Sequence, residues 1–139
     1  MKEPELTSAT VRLSWCGGHR LAGHPKCGSL HGHNYIAEIT VGQHPMGAPH
    51  GMVIDFGKLK GDVGGWINAE WDHAMVLDVE DREAIKALIN LEGQRMAYTG
   101  GPPTAETMTR KLWRVIDEMG YTPIAVTIWE TPTSFATTR

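Results

Sequence analysis

Cysteine is scarce in this chain, since only Cys16 and Cys27 occur among its 139 residues. Two cysteines are too few to build a disulfide framework, and we expect both thiols to stay reduced in the cytoplasm, where we place the protein. The first fifteen residues include acidic side chains and no apolar core, which argues against a secretory signal. No stretch of eighteen apolar residues occurs either, so the sequence predicts no membrane-spanning helix.

An excess of positive charge is also missing. Thirteen lysines and arginines stand against sixteen aspartates and glutamates, which gives a formal net charge of −3. Proteins that bind phosphate backbones carry clustered basic side chains, and this sequence has no such cluster. We therefore expect neither nucleic acid nor a membrane surface as a partner. A length of 139 residues with 41% hydrophobic residues predicts one globular domain over residues 1–139.

Alternation of apolar and polar residues predicts several strands. It runs over residues 10–19 and 31–41, which a loop containing glycine and proline separates. These two segments are predicted to pair in antiparallel fashion. Residues 122–130 alternate in the same way, and the short apolar run at residues 52–55 is a fourth candidate strand.

Helical periodicity is strongest over residues 104–119, where the apolar residues form one stripe. Another helix is predicted to follow an N-cap at Asp55, although four glycines weaken its pattern. A short helix within residues 81–93 is predicted to turn three apolar side chains inward: Ile85, Leu88 and Ile89. The order of these elements predicts an α+β fold, in which helices cover one face of an antiparallel four-stranded sheet.

The pattern of histidines indicates a metal site. His31 and His33 lie two residues apart in the second predicted strand, so their side chains share a face, roughly 6.5 Å apart along it. His19 ends the neighbouring strand and could add a third imidazole. Three nitrogen ligands with an open fourth position are typical of catalytic zinc. The alternative is a set of partly buried, hydrogen-bonded histidines. The remaining loop histidines are expected to be solvated: His24, His44 and His50.

Cys27 lies in the loop just before the strand that carries these histidines. A free thiol has a pKa near 8.5, and a neighbouring cation lowers it toward the range where a general base works at neutral pH. Cys27 could therefore act as a base, as a fourth metal ligand, or as an inert packed thiol. Cys16, between Trp15 and two glycines, is the better candidate for an inert thiol.

Two acidic positions also carry chemical interest. Asp72 directly precedes His73, and the carboxylate can orient the imidazole only if the pair lies in a turn. The alternative is an ordinary Asp-His dipeptide at a helix end. Glu130 closes the strand at 122–130 on its apolar side, which would direct the carboxylate toward a half-buried pocket. Its alternative is a solvated strand terminus.

Six short motifs occur in an order that is similar to a known family. They are GGHRL, CGSLHGHNY, GMVIDFGKLK, DHAMVL, PPTAET and WETP, and the resemblance covers nearly the whole chain, from about Val11 to Thr131. In this order and spacing the chain resembles the 6-pyruvoyl-tetrahydropterin synthase superfamily. Three residues separate Cys27 from the HGH motif, which resembles the branch that forms 6-carboxytetrahydropterin in the synthesis of 7-deazaguanine (queuosine).

The resemblance implies a role for each matching residue. It implies a zinc ion (Zn²⁺) held by His19, His31 and His33. It implies that Cys27 accepts a proton, and that His73, positioned by Asp72, relays one. Glu130 would anchor the amino and ring N–H groups of a pterin. Three further residues match the segment near the pterin pocket: Thr104, Ala105 and Glu106.

The resemblance also implies a substrate, a fold and an assembly. The substrate would be 7,8-dihydroneopterin triphosphate, and the products 6-carboxytetrahydropterin, acetaldehyde and triphosphate. The fold would be the tunnelling fold (T-fold), a single pterin-binding domain whose trimers close a twelve-stranded barrel and stack in pairs. A homo-oligomer is therefore expected. The sister activities on this scaffold are 6-pyruvoyl-tetrahydropterin synthesis and side-chain cleavage toward folate. Two alternative functions belong to other classes: a zinc hydrolase and a non-catalytic, metal-stabilised binding protein.

The chain departs from the family pattern at three places. Gly17 and Gly18 stand where alanine or serine usually precedes the first histidine. Trp71 replaces a usual leucine, and Val76 with Leu77 replaces the usual Leu-Asn. Because none of these positions is a predicted ligand, we expect the departures to affect the shape of the pocket rather than the metal.

Overall fold

The structure is a computed structural model that describes residues 1–2, 6–43 and 49–139. It contains six strands and three α-helices among these residues. The strands are β1 (Ala9–His19), β2 (His31–Val41), β3 (Ala74–Leu77), β4 (Arg95–Tyr98), β5 (Pro123–Thr131) and β6 (Ser134–Thr138). The helices are α1 (Phe56–Glu70), α2 (Arg82–Leu88) and α3 (Ala105–Glu118).

All six strands belong to one sheet, in the order β4-β3-β1-β2-β5-β6. β1, β2, β5 and β6 pair in antiparallel fashion, whereas β3 runs parallel to both β1 and β4. The α+β class is confirmed, but the sheet has six strands rather than the predicted four. The three strands that were not predicted, β3, β4 and β6, are only four or five residues long, which is too short for a clear alternation in the sequence. In addition, β3 is largely buried on both faces instead of alternating.

The fourth candidate strand, at residues 52–55, is wrong. That stretch is a bend that leads into α1, and its last residue, Asp55, is the N-cap of the helix. The Asp55 carboxylate accepts a hydrogen bond from the backbone N–H of Lys58 at 3.1 Å. The N-cap prediction is therefore confirmed. A carboxylate that satisfies a free N–H of the first helical turn stabilises the helix start by about 1 kcal/mol, which helps a glycine-rich helix to form.

The helices cover one face of the sheet and enclose the core there. The helix predicted for residues 104–119 is confirmed, because Thr104 and Met119 cap α3. Its apolar stripe is fully buried at Met108, Leu112 and Ile116, whereas Met119, at the end of the stripe, is exposed. The α2 prediction holds only in part: Leu88 is buried, but Ile89 is exposed at the helix end. In β2 the alternation is as predicted, since every second residue is buried: Tyr35, Ala37, Ile39 and Val41.

In the described ranges, none of the helices is both long and apolar enough to cross a membrane.

Candidate active site

Three histidines meet where β1 ends and β2 begins. The antiparallel register places His19 opposite His31, and His33 opposite Gly17. Nε2 of His19 lies 3.0 Å from Nε2 of His31 and 3.1 Å from Nε2 of His33. Among the residues that the structure describes, these three form a group whose nitrogen atoms could hold one metal ion. The strand pairing thus brings together the three residues that the sequence pattern singled out.

Backbone carbonyls fix the ring orientation of two of these histidines. Nδ1 of His19 donates to the carbonyl oxygen of Pro103 at 2.7 Å, and Nδ1 of His31 donates to that of Ser29 at 2.6 Å. A carbonyl can only accept, so each neutral ring carries its proton on Nδ1 and presents a lone pair on Nε2. Two lone pairs facing each other at 3.0 Å repel unless a cation lies between them. The donor set therefore fits an ion such as zinc.

Burial favours the metal-binding state of two of the imidazoles, those of His19 and His33. Desolvation lowers the pKa of His19, although the Pro103 carbonyl and the Glu130 carboxylate act in the opposite direction. Desolvation likewise lowers the pKa of His33, again opposed by Glu130. A neutral imidazole is the form that ligates a metal, so burial reduces the competition from protons near neutral pH.

The carboxylate of Glu130 lies against the histidine cluster. Its Oε1 is 3.3 Å from Nε2 of His19 and 3.7 Å from Nε2 of His33. The Glu130 side chain is 30% exposed, which agrees with a half-buried position on the apolar side of β5. It lines a cavity of about 630 Å³ that also touches His33 and Trp129. A cavity of this size lies in the range that holds small organic ligands.

Asp72 and His73 lie in the turn between α1 and β3. His73 has a φ of 55°, and its Nδ1 is 3.0 Å from Oδ1 of Asp72, so the neighbouring side chains face each other. Two hydrogen bonds to Cys16 hold this turn on the edge of β1. The backbone N–H of Cys16 donates to Oδ1 of Asp72 at 3.2 Å. The backbone N–H of His73 donates to the carbonyl oxygen of Cys16 at 2.7 Å. The hydrogen bond from His73 is the main cause of the lowered pKa of Asp72.

A second cavity, of about 520 Å³, brings His73 together with His31 and His33. Cys16 also lines it, and its thiol donates a hydrogen bond to Oδ1 of Asn34 at 2.9 Å. The prediction that Cys16 is an inert packed thiol is wrong as regards packing, because its side chain is exposed. Cys16 lies on the face of β1 opposite to Trp15, away from the core, which explains its exposure.

Cys27 is half-buried in the loop between β1 and β2. Its carbonyl oxygen accepts a hydrogen bond from the N–H of Leu21 at 2.7 Å, which closes the loop two residues beyond His19. Within the described ranges, the sulfur of Cys27 is not a member of the histidine cluster, and neither cavity above is lined by Cys27. Neither of these two cavities therefore brings Cys27 together with His73.

The predicted pocket segment at Thr104 to Glu106 begins α3. The Thr104 hydroxyl accepts from the N–H of Thr107 at 3.2 Å and so caps the helix, while Ala105 is buried and Glu106 is exposed. The segment reaches the histidines through the preceding residue, Pro103, whose carbonyl holds His19. Sequence reasoning missed this contact, because a backbone carbonyl leaves no residue-type signal.

The two glycines that depart from the family pattern lie close to neighbouring residues. A Cβ atom at Gly18 would lie 2.7 Å from Cε of Met75, so the side chain of Met75 occupies the room that the missing methyl leaves. A Cβ at Gly17 would lie 3.4 Å from the carbonyl oxygen of Trp71 and from Nε1 of Trp15. The Trp71 ring packs on Trp15, with 5.5 Å between centroids. Met75 thus fills the space beside Gly18 at the second cavity, whereas Gly17 lies against the backbone of Trp71 and the ring of Trp15.

Tyr35 forms the wall behind the histidines and was missed as a site residue. Its ring centroid lies 5.4 Å from that of His33 and 6.1 Å from that of His19, and the ring stacks on Trp15. Burial raises the pKa of its phenol. The signal was available, because Tyr35 shares the face of His33 in the alternating strand.

Fold and site together define a class: an α+β protein with three imidazoles converging at the end of a strand pair. Solved structures of similar fold include an uncharacterised protein of Wolinella succinogenes, with a TM-score of 0.79, 19% identity and coverage of 97% of this chain and 98% of that one. The 6-pyruvoyl tetrahydropterin synthase of Caenorhabditis elegans gives a TM-score of 0.68 at 22% identity, covering 100% and 99%. These similarities confirm the T-fold.

The model of the family described as 6-pyruvoyl tetrahydropterin synthase matches residues 8–139, so the chain belongs to this family. Relatives named 6-carboxy-5,6,7,8-tetrahydropterin synthase occur in Rickettsia typhi (40% identical, covering 74% of this chain and 75% of the relative) and Rickettsia bellii (32%, covering 94% and 98%). One from Haemophilus influenzae is 35% identical, covering 84% and 87%. These relatives confirm the resemblance seen in the sequence and the prediction of an enzyme of this lyase type.

Proposed function

We propose that this protein is a zinc-dependent lyase. It converts 7,8-dihydroneopterin triphosphate and water into 6-carboxytetrahydropterin, acetaldehyde and triphosphate, as a step of 7-deazaguanine (queuosine) synthesis. The observation that carries the proposal is the convergence of three imidazole Nε2 atoms: those of His31 and His33 lie 3.0 and 3.1 Å from that of His19. The names of the curated relatives and the three-residue spacer between Cys27 and His31 support this branch of the family.

The metal would be held by His19, His31 and His33, and it would supply Lewis-acid polarisation of the oxygens of the substrate side chain. The carbonyls of Pro103 and Ser29 orient two of these ligands, so the chain holds the rings in place before any ion binds.

Cys27 supplies the general base in this proposal. Its thiolate accepts a proton from a carbon of the substrate side chain, which polarisation of the adjacent oxygen makes acidic. His73 relays protons on the opposite side of the substrate. Asp72 holds Nδ1 of His73, so the free Nε2 of the ring faces outward to exchange protons.

Glu130 anchors the pterin in this proposal, because a carboxylate accepts hydrogen bonds from the amino and ring N–H groups of a pterin. The carboxylate lines the cavity of about 630 Å³, which offers the ring a half-buried place beside His33. Thr104, Ala105 and Glu106 are proposed to lie near the pterin, because Pro103, which precedes them, holds His19 through its carbonyl oxygen.

The active protein is proposed to be a homo-oligomer, a trimer or a pair of trimers. Two observations support this. β3 pairs only with Gly18 and His19 of β1, so among the described residues the first half of β1 has no strand partner on that side. β6 forms the opposite end of the sheet. Pairing of these edges between chains satisfies their backbone groups and could bring His73 of one chain to Cys27 of another. The single domain is proposed to work in the cytoplasm.

Product analysis tests the reaction. The metal-loaded protein is incubated with 7,8-dihydroneopterin triphosphate, and both the pterin and the carbon fragment are identified. Acetaldehyde with the carboxy product supports the proposal. A pyruvoyl product with no fragment lost assigns the chain to the sister synthase, and a hydroxymethyl product assigns it to side-chain cleavage toward folate. Phosphate release alone indicates a hydrolase, and metal binding without turnover indicates a binding protein.

A further inference from the structure

The turn that carries Cys27 is capped by a histidine side chain. Nδ1 of His24 accepts hydrogen bonds from the backbone N–H groups of Lys26, at 3.2 Å, and Cys27, at 2.9 Å. The carbonyl oxygen of His24 accepts from the N–H of Gly28 at 3.0 Å, which closes one helical turn. His24 is exposed, as the sequence predicted, but its ring is engaged; His44, predicted to be solvated as well, lies outside the described residues.

His24 satisfies the N–H groups at the start of a turn in the way that serine or aspartate does at a helix N-cap. Pro25 follows it and has no N–H to satisfy, which suits the first position of such a turn. The turn is tightly closed, because a Cβ at Gly28 would lie 2.6 Å from the carbonyl oxygen of His24.

Both backbone polar groups of Cys27 are therefore fixed. Its N–H is held by His24, and its carbonyl oxygen is held by the N–H of Leu21 at 2.7 Å. Fixing both peptide groups fixes the direction of the Cα–Cβ bond, and with it the direction in which the thiol leaves the loop. The position of a reacting group matters, because a displacement of that group by about 1 Å can lower the reaction rate a hundredfold.

We propose that His24 is a positioning residue for Cys27. Its Nδ1, acting as a hydrogen-bond acceptor, holds the turn in the conformation from which the thiolate reaches the substrate. The catalytic part of this inference rests on the proposed function, in which Cys27 is the base. His24 itself touches no reacting atom.

Limited proteolysis tests the conformational part without any substrate. Trypsin can cut after Lys26 only when the turn opens. His24→Ala removes the acceptor and should speed nicking at Lys26 by about fivefold, the effect of losing one cap. His24→Asn retains an oxygen that can accept from the same N–H groups and should nick at the wild-type rate. His50→Asn, which changes an exposed histidine outside the site, is the matched control and should also match wild type.

Kinetics tests the positioning part. His24→Ala should lower kcat about tenfold with KM and metal content within twofold of wild type, and His24→Asn should restore kcat. Equal nicking in His24→Ala and wild type overturns the inference, as does an Asn variant as impaired as the Ala variant, because then the acceptor is not what matters. If wild type shows no turnover but nicking follows the predicted pattern, the proposed function fails and the conformational role of His24 stands.

Discussion

Oε1 of Glu130 lies 3.3 Å from Nε2 of His19, so the residue proposed to anchor the pterin is in direct contact with a proposed metal ligand. β2 and β5 are neighbours in the sheet, and their pairing brings the end of β5 to the start of β2. The pterin and the metal would therefore meet at one point of the sheet, where the substrate side chain can reach the ion while its ring is held.

Glu130→Gln should weaken pterin binding and leave the metal in place. The substitution turns one acceptor oxygen into an N–H donor that faces the N–H groups of the pterin, which costs about tenfold to a hundredfold in affinity. Calorimetric titration with a pterin and elemental analysis measure both quantities. Glu83→Gln is the control, since the Glu83 side chain is 88% exposed and contacts Arg20 instead of the histidines or the cavity. Unchanged pterin affinity in Glu130→Gln would place Glu130 outside the pocket.

His31→Ala and His33→Ala should each abolish stoichiometric metal binding. Each substitution leaves two imidazoles, and two imidazoles hold zinc far more weakly than three. Elemental analysis after dialysis should show about one metal per chain in wild type and in His50→Asn, and little in either variant. Full metal content in the His31→Ala, His33→Ala double variant would refute the ligand assignment.

Arg20→Ala should destabilise the end of β1 that carries His19. Arg20 donates two hydrogen bonds to Asp81, at 2.6 and 2.7 Å, and the Asp81 side chain is only 4% exposed. Removing the guanidinium leaves a buried carboxylate unpaired, which should lower the melting temperature by about 5–10 °C. Glu83→Ala removes only a 3.4 Å contact between Arg20 and a side chain that is 88% exposed. This variant should change the melting temperature by about 1 °C. Equal shifts for the two variants would contradict this account.

The metal-free protein should lose stability as the pH falls below about 6.5. Burial lowers the pKa of His19 and His33 in the folded chain, so in this range the unfolded chain binds protons that the folded chain does not. Stability should therefore fall with pH through this window and level off below the folded pKa values. Urea unfolding in a chelator, from pH 7.5 to 5, measures the slope. His19→Gln, whose side chain cannot titrate, should show a shallower dependence of stability on pH. Equal slopes in this variant and wild type would exclude His19 as a cause of the pH dependence.

Local periodicity explains what the sequence could predict. The alternation over β1 and β2 fixes which side chains share a face, and antiparallel pairing then brings His19, His31 and His33 together. The apolar stripe of α3 could be predicted for the same reason, because it depends on the spacing of neighbouring residues in the sequence. The Asp72-His73 turn could be stated only as a condition, because its geometry depends on the edge of β1, which lies far away in sequence.

The features that sequence reasoning missed depend on distant partners or on backbone atoms. β3 and β4 are four residues long and gain their place from each other and from β1. The Pro103 carbonyl holds His19 from 84 residues away. His24 looked like a solvated loop residue because its bonds go to main-chain N–H groups, which every residue but proline possesses.

The most direct test of the proposed chemistry is the steady-state kinetics of Cys27→Ala with 7,8-dihydroneopterin triphosphate, measured on protein of known metal content. If Cys27 is the base and the three histidines hold the ion alone, the variant should keep one metal per chain and near-normal KM, while kcat falls about 10²–10⁴-fold. A Cys27→Ala protein that retains metal and releases acetaldehyde within a few-fold of the wild-type rate would contradict the account. Loss of metal in this variant would contradict it as well, because Cys27 would then be a ligand.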